Sequence, residues 1–340
     1  MSMYAASAPS AVPAAAARTR PARSASMRLP ITRRGLQIAL GVIWLLDGGL
    51  QFQSFMYSHG FLKEVIEPTA MMQPAWIGDP IIWAAHLIAK DLTVWNTLFA
   101  LTQVLIGLGL LFRPTVRPAL LVSFGWAFVV WWFGEGFGMI PADMASPLTG
   151  APGAVLLYAL IGLLLWPTRD PDPPPAPAGG GLIGERAGRA VWSVLWLTAT
   201  VLWCLSVNRT PNSISEALKT TSEGSMHWLA SIQHSLAHSL HGDGETIAIV
   251  LAILSLAIAV GVWTRLRRQA LIVGALLSIV FWFLGQGLGE LTSGKATDVN
   301  AGPLFVLLAL TLLPRGRASE EVPARQAPAV SNEPEQEVSP

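Results

Sequence analysis

Long apolar stretches alternate with short polar connections along most of this chain. Eight of them approach or reach the roughly 20 residues that a helix needs to cross a bilayer. Their positions are 35–52, 94–112, 119–137, 153–166, 190–207, 246–263, 270–288 and 302–313. The fourth and eighth are short, and Pro152 and Pro303 stand at their starts, as proline often does at helix beginnings. The pattern predicts an all-α polytopic membrane protein with eight transmembrane helices.

The second half of the chain repeats the first at an offset near 151 or 152 residues. The aromatic and glycine-rich run 131–138 returns as 281–289, and Trp44 returns as Trp196. Four spans is an even number, so both copies insert the same way up and are related as parallel repeats. We therefore predict two tandem parallel four-helix transmembrane repeats.

Polar segments mark the predicted boundaries of these repeats. The first repeat is predicted at 34–168 and the second at 186–315, joined by a Pro- and Gly-rich cytoplasmic linker at 169–185. Residues 1–33 and 316–340 are rich in Ala, Ser, Pro and charged residues without apolar periodicity. Both are predicted to be disordered cytoplasmic tails.

The distribution of arginine predicts the orientation. Arginines cluster before the first segment, in every second connection and after the eighth segment, whereas the other connections hold single basic residues set among acids. By the positive-inside rule both termini are cytoplasmic. The excess of Arg over Lys, with abundant Ala, Gly and Pro, is typical of a GC-rich bacterial genome. We expect a multi-pass protein of the bacterial cytoplasmic (plasma) membrane.

Composition narrows the function classes. The chain is 52% hydrophobic and 13% charged, against about a quarter charged in soluble domains. A net charge of +1 gives no reason to expect nucleic-acid binding. The one cysteine, Cys204, cannot form an intrachain disulfide or a cysteine metal cage. The sequence also contains no phosphate-binding loop, dinucleotide fingerprint, HExxH or GxSxG motif.

Polar residues at predicted membrane depth cluster near the outer side of the first repeat. Asp47 and Gln51 lie in the outer half of the first segment, and Glu135 lies near the outer end of the third. His86 lies in the external connection just before the second segment. Ionisable groups within spans are costly and generally face a bundle interior or a water-filled cavity. These four residues form our candidate ligand or proton site, with Asp47, Gln51 and Glu135 predicted to line one outward-open cavity.

The second repeat lacks both acids of this candidate site. The counterparts of Asp47, Gln51, Glu135 and His86 are Ala199, Trp203, Gln286 and His238. Loss of the acids in one copy indicates a specialised site in the first repeat and a scaffold in the second. The histidine is kept in both copies, which favours a shared architectural hydrogen bond over catalysis.

A purely structural role for the acids is the alternative. Asp47 and Glu135 would then cap helix ends or pair with Lys63 or Lys90 in the external connection. Both interpretations remain open from the residues alone.

Four histidines form a row in the external connection of the second repeat: His227, His234, His238 and His241. Their spacings of seven, four and three place them in one stripe of a helix predicted over 226–241, an amphipathic helix on the outer surface. Histidines at i and i+4 can bind zinc or copper. No carboxylate or cysteine joins the row, so a solvated polar face is the alternative to a metal site.

Each copy resembles the DoxX-like (DoxX/DoxD) group of bacterial membrane proteins. The resemblance is carried by four spans with a long outer connection after the first, and by the runs RGL at 34–36, GVIWL at 41–45, GGLQ at 48–51, QVLIGLGLL at 103–111 and RPAL at 117–120. It implies an association with quinone-linked sulfur oxidation and with membrane oxidoreductase complexes. The group has no catalytic signature that could be carried over to individual residues here.

Three functions follow as hypotheses. The resemblance implies a non-catalytic or accessory subunit of a quinone-linked membrane redox complex, with other membrane or exported redox proteins as partners. The acids in the first repeat favour a small-solute or ion transporter with an outer-facing acidic site. The long outer connections fit a scaffold that binds an extracytoplasmic partner.

The predicted spans do not contain the pair of facing histidines that would supply two axial ligands to a haem. Whether the chain catalyses a reaction stays open at this point.

Overall fold

The structure is a computed structural model that describes residues 31–168 and 177–314. Most of the predicted N-terminal tail, the first part of the predicted linker and the predicted C-terminal tail lie outside the described residues. Within the described ranges the secondary structure is helical, apart from one isolated bridge between Pro177 and Pro314.

Twelve α-helices are described, six in each half of the chain. Those of the first half are α1 (Arg33–Leu50), α2 (His59–Phe61), α3 (Ala75–Ala89), α4 (Leu92–Leu111), α5 (Val116–Phe133) and α6 (Ala154–Leu164). Those of the second half are α7 (Gly184–Cys204), α8 (Ser213–Gly224), α9 (His227–Ser239), α10 (Gly244–Gly261), α11 (Arg267–Leu284) and α12 (Ala301–Leu312). Short 3₁₀ and π turns join several of them.

Five helices are long and apolar enough to cross a membrane: α4, α5 with its preceding turn, α7, α10 and α11. Helix α1 falls short because Arg33, Arg34 and Asp47 lower its mean hydropathy. Helices α6 and α12 are strongly apolar but span only 11 and 12 residues. The length and composition of these helices indicate an all-helical, multi-pass membrane protein.

The outer surfaces of the long helices are apolar. Leu105 on α4, Leu121 on α5, Val201 on α7 and Ile253 on α10 are each more than half exposed. Exposed large apolar side chains in such numbers are unfavourable in water and suit contact with lipid. The polar side chains near the helix centres face inwards instead.

The helices pack as two similar groups around one core. Helix α1 packs along α4 and α7 along α10, while α5 pairs with α6 and α11 pairs with α12. The two groups meet where α6 packs against α12. A single apolar cluster runs through both groups and includes the buried rings of Trp44 and Trp192.

The same backbone turn follows α5 and α11. In the turn Gly136–Met139, Phe137 and Gly138 have φ values of 56° and 66°. In the turn Gly287–Glu290, Leu288 and Gly289 have φ values of 59° and 69°. Positive φ is uncommon for a bulky side chain, so its recurrence at the same two steps is a specific likeness between the halves.

An indole hydrogen bond of the same kind is present in both halves. Trp131 Nε1 donates to the carbonyl oxygen of Pro152 at 2.8 Å, and Trp282 Nε1 donates to that of Val299 at 2.8 Å. Each bond fixes the segment that leads into the next helix, α6 or α12.

Each half sends the loop before its last helix across to the other half. In the second crossing loop (residues 291–300), Ala296 accepts a hydrogen bond from Gln53 Nε2 at 3.2 Å, and Lys295 pairs with Glu64 at 2.6 Å. In the first crossing loop (residues 140–153), Ala145 accepts from Asn208 Nδ2 at 2.8 Å. Because each loop crosses in this way, residues of one half contact residues of the other half.

The long connections that follow α1 and α7 contain helices rather than irregular loops. The predicted helix over 226–241 is α9, whose buried residues include Leu229, Gln233 and Ala237. Gln233 Nε2 donates to the carbonyl oxygen of Leu284 at 2.8 Å and so fastens α9 to the end of α11. Ile232 is exposed because α9 turns only a narrow stripe inwards.

Candidate functional site

A cavity of about 130 Å³ lies among the helices of the first half. Each of α1, α4, α5 and α6 contributes an aromatic ring to its wall: Trp44, Phe99, Trp126 and Tyr158. The rings form two contacts, with centroids 4.4 Å apart for Trp44 and Tyr158 and 5.5 Å apart for Phe99 and Trp126. We call this space the first-half cavity.

Three carboxyl groups converge on this cavity. Asp47 comes from the last turns of α1, Glu135 from the turn after α5, and Asp298 from the second crossing loop. The structure therefore brings together Asp47, Gln51 and Glu135 of the sequence-predicted site and adds an acid from the other half. Asp47 is the most buried, at 2% exposed.

Asp47 is held by the last helix of its own half and by the second crossing loop. Tyr158 Oη donates a hydrogen bond to Oδ2, and the backbone N–H of Val299 faces the same carboxyl group. Its other oxygen, Oδ1, is buried and has no hydrogen-bond partner among the described residues. In the second half, Ala199 replaces the acid, and Phe305 stands at the position of Tyr158, four residues after the start of the last helix.

Glu135 caps helix α6. Its Oε1 accepts a hydrogen bond from the backbone N–H of Val155 at 3.0 Å, which satisfies one of the exposed donors at the helix start. The capping alternative is therefore part of the role of Glu135. In the second half, Gln286 Oε1 makes the equivalent bond with the N–H of Gly302 at 3.1 Å. Because a neutral glutamine performs the same cap, capping does not explain why the first half carries an acid.

The second oxygen of Glu135 has a different environment. Oε2 is buried and has no hydrogen-bond partner within the described ranges. An unpaired buried polar atom is expensive, and Glu135 lines the same cavity as Asp47. It remains available to a proton or a bound group.

Asp298 lies between the first-half cavity and a second cavity of about 250 Å³, which we call the loop cavity. Its carboxylate accepts hydrogen bonds from the N–H of Asn300 at 2.6 Å and from Thr297 Oγ1 at 2.8 Å. Burial nevertheless raises the pKa of Asp298 above the ordinary aspartate value, and these hydrogen bonds oppose the rise only in part. Asp298 and Glu135 line both cavities, so they stand where the two meet.

The raised pKa of Asp298 leads to a prediction about stability. The folded chain binds this proton more tightly than the unfolded chain, so stability falls as the pH rises from the usual value of about 3.9 through the folded pKa. The side chain at position 298 cannot titrate in Asp298→Asn. The thermal midpoint of this variant, relative to that of the wild type, should therefore increase as the pH is raised. The exposed control Asp243→Asn should show no such trend. A difference in thermal midpoint between Asp298→Asn and the wild type that is the same at low and high pH would contradict the prediction.

No basic side chain compensates the three acids. Among the described residues, none of Asp47, Glu135 and Asp298 forms an ion pair, and Lys63 and Lys90 are exposed away from them. The pairing alternative is therefore wrong for the described ranges. Burial of uncompensated carboxylates is strongly unfavourable. The arrangement must hold protons, or it must hold a cation in their place.

Buried amides extend the polar wall of the cavity. Asn96 Nδ2 donates to the backbone carbonyl oxygen of Gln51 at 2.7 Å, while Gln51 Oε1 has no partner within the described residues. Gln103, about two helical turns further along α4, also lines the cavity. The matching positions of α10 hold Ala248 and Ser255, so the polar wall is confined to the first half.

The equivalent space in the second half is nearly closed. Only about 20 Å³ remains between Ala199, Gln286 and Phe305. Trp203, the counterpart of Gln51, is fully buried there, with its ring centroid 5.8 Å from that of Phe281. The second half therefore lacks both the acids at these positions and most of the space that the first half has beside them.

The histidines lie apart from this site. His86 is exposed on α3 and does not line the cavity, and His238 is equally exposed on α9. Within the described part of the chain neither ring makes a hydrogen bond, so the expected shared hydrogen bond is not formed. Both helices turn apolar stripes inwards, which leaves these positions facing outwards.

The predicted metal candidates His227, His234, His238 and His241 are all exposed. His234 Nε2 lies 3.1 Å from Ser222 Oγ. Over residues 31–168 and 177–314, no group of three or more His, Cys, Asp or Glu side chains could hold a metal ion. The row lies on the exposed side of α9.

Sequence reasoning missed Asp298 and Tyr158. The counterpart of Asp298 in the first half is Ala151, so comparison of the two copies offered no reason to select it. Tyr158 lies in an apolar run and looked like a core aromatic. The one signal that distinguishes Tyr158 is that the matching residue of the second half, Phe305, has no hydroxyl group.

Comparison with known proteins adds no relative: no family model, curated protein or solved structure matches the chain.

Proposed function

We propose that this chain consists of two tandem parallel four-helix units with eight transmembrane helices and both termini in the bacterial cytoplasm. The matched order of the long helices supports the duplication, and the positive-φ turn that recurs after α5 and α11 supports it independently. Helices α1, α6 and α12 are the remaining three of the eight proposed transmembrane helices. The short α6 and α12 would span with help from the crossing loops, which are covered by the protein and so need no lipid contact.

Reporter fusions test the topology. The positive-inside distribution predicts cytoplasmic signals from fusions after Arg113, after Gly180 and at the C-terminus. It predicts external signals near Gln73, Asp143, Thr221 and Thr292. A cytoplasmic signal at Asp143 would contradict eight spans, because this residue lies in the first crossing loop, which joins the third and fourth.

We infer that the protein binds a small solute in the first-half cavity and exchanges it for protons, as a solute or ion transporter does. One observation carries this inference: Asp47, Glu135 and Asp298 converge on a cavity without a basic partner among the described residues. Intramembrane ionisable groups of this kind commonly mark substrate or proton pathways. The second half keeps the helix cap through Gln286 but has no acid at the positions that match Asp47 and Glu135. It acts as a scaffold and supplies Asp298 to the first-half cavity.

Carbodiimide labelling tests the proton-bearing site without knowledge of the solute. N,N′-Dicyclohexylcarbodiimide reacts with protonated carboxyl groups in apolar surroundings, and peptide mass spectrometry locates the adduct. We expect labelling at Asp47 or Glu135 that decreases as the pH rises, with none at the surface acid Glu245. Absence of labelling at both cavity acids at every pH would overturn the proposal.

A second function is favoured by the end of the cavity near α6. Tyr158 and Asp47 present a hydroxyl and a carboxyl group beside the ring of Trp44, a combination that suits a quinone head group. This would agree with an accessory role in a quinone-linked redox complex, as the DoxX-like resemblance implies. Ubiquinone-1 should then quench the tryptophan fluorescence of the purified chain, and Tyr158→Phe should weaken that quenching.

A further inference from the structure

We propose that the first-half cavity takes a small monovalent organic cation, a quaternary ammonium or protonated amine with an apolar substituent. The charged end lies between Asp47 and Glu135, and the apolar part lies against the aromatic wall. This proposal rests on the inference that the cavity binds a solute, and it names the chemical class of that solute.

The charge of the site favours a cationic occupant over a neutral or anionic one. Asp47 is 2% exposed, and its Oδ1 has no hydrogen-bond partner among the described residues. The same holds for Oε2 of Glu135, and both residues line the cavity. A cation placed between these atoms would satisfy two buried acceptors at once. A neutral or anionic solute would leave them unpaired or add repulsion, at a cost that buried polar groups rarely bear.

The wall of the cavity suits an organic cation rather than a metal ion. Rings from four different helices surround the space, and a cation within about 6 Å of an aromatic face is attracted by its quadrupole. Calcium and magnesium need about six or more oxygen ligands around one point. In the described ranges the three acids do not form a group close enough to hold a metal ion together.

The position of Asp298 and Glu135 provides a route of entry for the cation. Both acids line the loop cavity as well as the first-half cavity. The loop cavity contains the sulfur-bearing side chains of Met139 and Met144, which are polarisable and adaptable. A cation would therefore meet negative charge continuously from the loops to Asp47.

The second half shows what the same fold looks like without a ligand site. Ala199, Phe305 and Trp203 together remove the acid, the hydroxyl that bonds to it and the space beside it. Loss of all three is expected if they serve a single bound molecule. It is not expected if each has a separate structural duty.

A matched pair of probes tests the proposal on the full chain in lipid nanodiscs. Benzyltrimethylammonium and neopentylbenzene have nearly the same shape, but only the first is charged. Calorimetry, with tryptophan fluorescence as a second readout, should show saturable binding of benzyltrimethylammonium and none of neopentylbenzene. Binding should weaken as the pH falls, because protons and the cation compete for the same carboxylates.

Variants locate the bound cation. Asp47→Asn and Glu135→Gln should each weaken binding about tenfold or more, as loss of a charged partner generally does. Glu290→Gln, which removes an acid outside the first-half cavity, should bind as the wild type does. Thermal melting checks that each variant is folded, and the pH dependence of the wild type tests the competition without any substitution.

Three results would overturn the proposal: binding of neopentylbenzene as tight as that of benzyltrimethylammonium, cation binding indifferent to both acid variants, or no cation binding at any pH. Carbodiimide labelling separates these from failure of the proposed function. Labelled acids with no cation binding would reject only the ligand class, whereas unlabelled acids would reject the proton-exchanging site itself.

Discussion

Gln51→Trp is expected to abolish binding of benzyltrimethylammonium while the protein stays folded. Gln51 lines the first-half cavity, and its counterpart Trp203 is fully buried against Phe281, which lines the much smaller equivalent space in the second half. The hydrogen bond from Asn96 goes to the backbone carbonyl of Gln51 and survives the substitution. We expect affinity to fall by about a hundredfold or more, or about 2.7 kcal/mol. Overpacking should cost about 1–3 kcal/mol of stability at most.

The neighbouring residue offers a matched control. Phe52 is 52% exposed and points away from the cavity, so Phe52→Trp adds bulk without filling the site. Both variants are compared with the wild type by calorimetry and by thermal melting. Wild-type affinity in folded Gln51→Trp would place the ligand elsewhere.

Trp203→Ala is expected to lower the free energy of unfolding by about 3–5 kcal/mol, the usual cost of truncating a buried tryptophan. The side chain is fully buried and joins α7 to α8, α10 and the first crossing loop in one apolar cluster that includes Leu148. Its removal leaves a void at the position that the first half keeps open. The surrounding residues are apolar, so water would not stabilise that void.

Equilibrium unfolding in mixed micelles measures this loss. Trp83→Ala is the control, because Trp83 is 64% exposed on α3 and a surface substitution usually changes stability by less than about 0.5 kcal/mol. A loss below about 1 kcal/mol for Trp203→Ala would mean that the second half does not depend on this filling, and the contrast between the two cavities would lose its structural basis.

The hydrophobic pattern was sufficient to predict most of the helices. The centres of α4, α5, α10 and α11 fall where uninterrupted apolar runs of the right length lie, since run length is itself the condition for crossing a bilayer. Helix α1 shows the limit of this reasoning. Its apolar run is visible at 35–52, but its charged residues lower its mean hydropathy, and its match with α7 is what supports it as the first helix of a unit.

The candidate site was predictable only in part. Asp47, Gln51 and Glu135 could be selected because acids and amides are unusual in apolar runs and because the second copy lacks them. Asp298 could not, since its place beside Asp47 depends on a loop that crosses from the other half. Such a contact between distant positions leaves no periodic signal. His86 and His238 misled for the opposite reason: both copies retain them, yet both rings face outwards.

Proton movement driven by a solute gradient tests the proton-exchanging site most directly. The full chain would be reconstituted in vesicles that contain a pH-sensitive dye, with the membrane potential clamped by potassium and valinomycin. A gradient of benzyltrimethylammonium, which carries no exchangeable proton of its own, would then be imposed. We predict a change of internal pH that Asp47→Asn with Glu135→Gln abolishes and that Glu290→Gln leaves intact. An internal pH that stays as constant as in protein-free vesicles, or that changes equally in the double variant, would contradict proton exchange at the first-half acids.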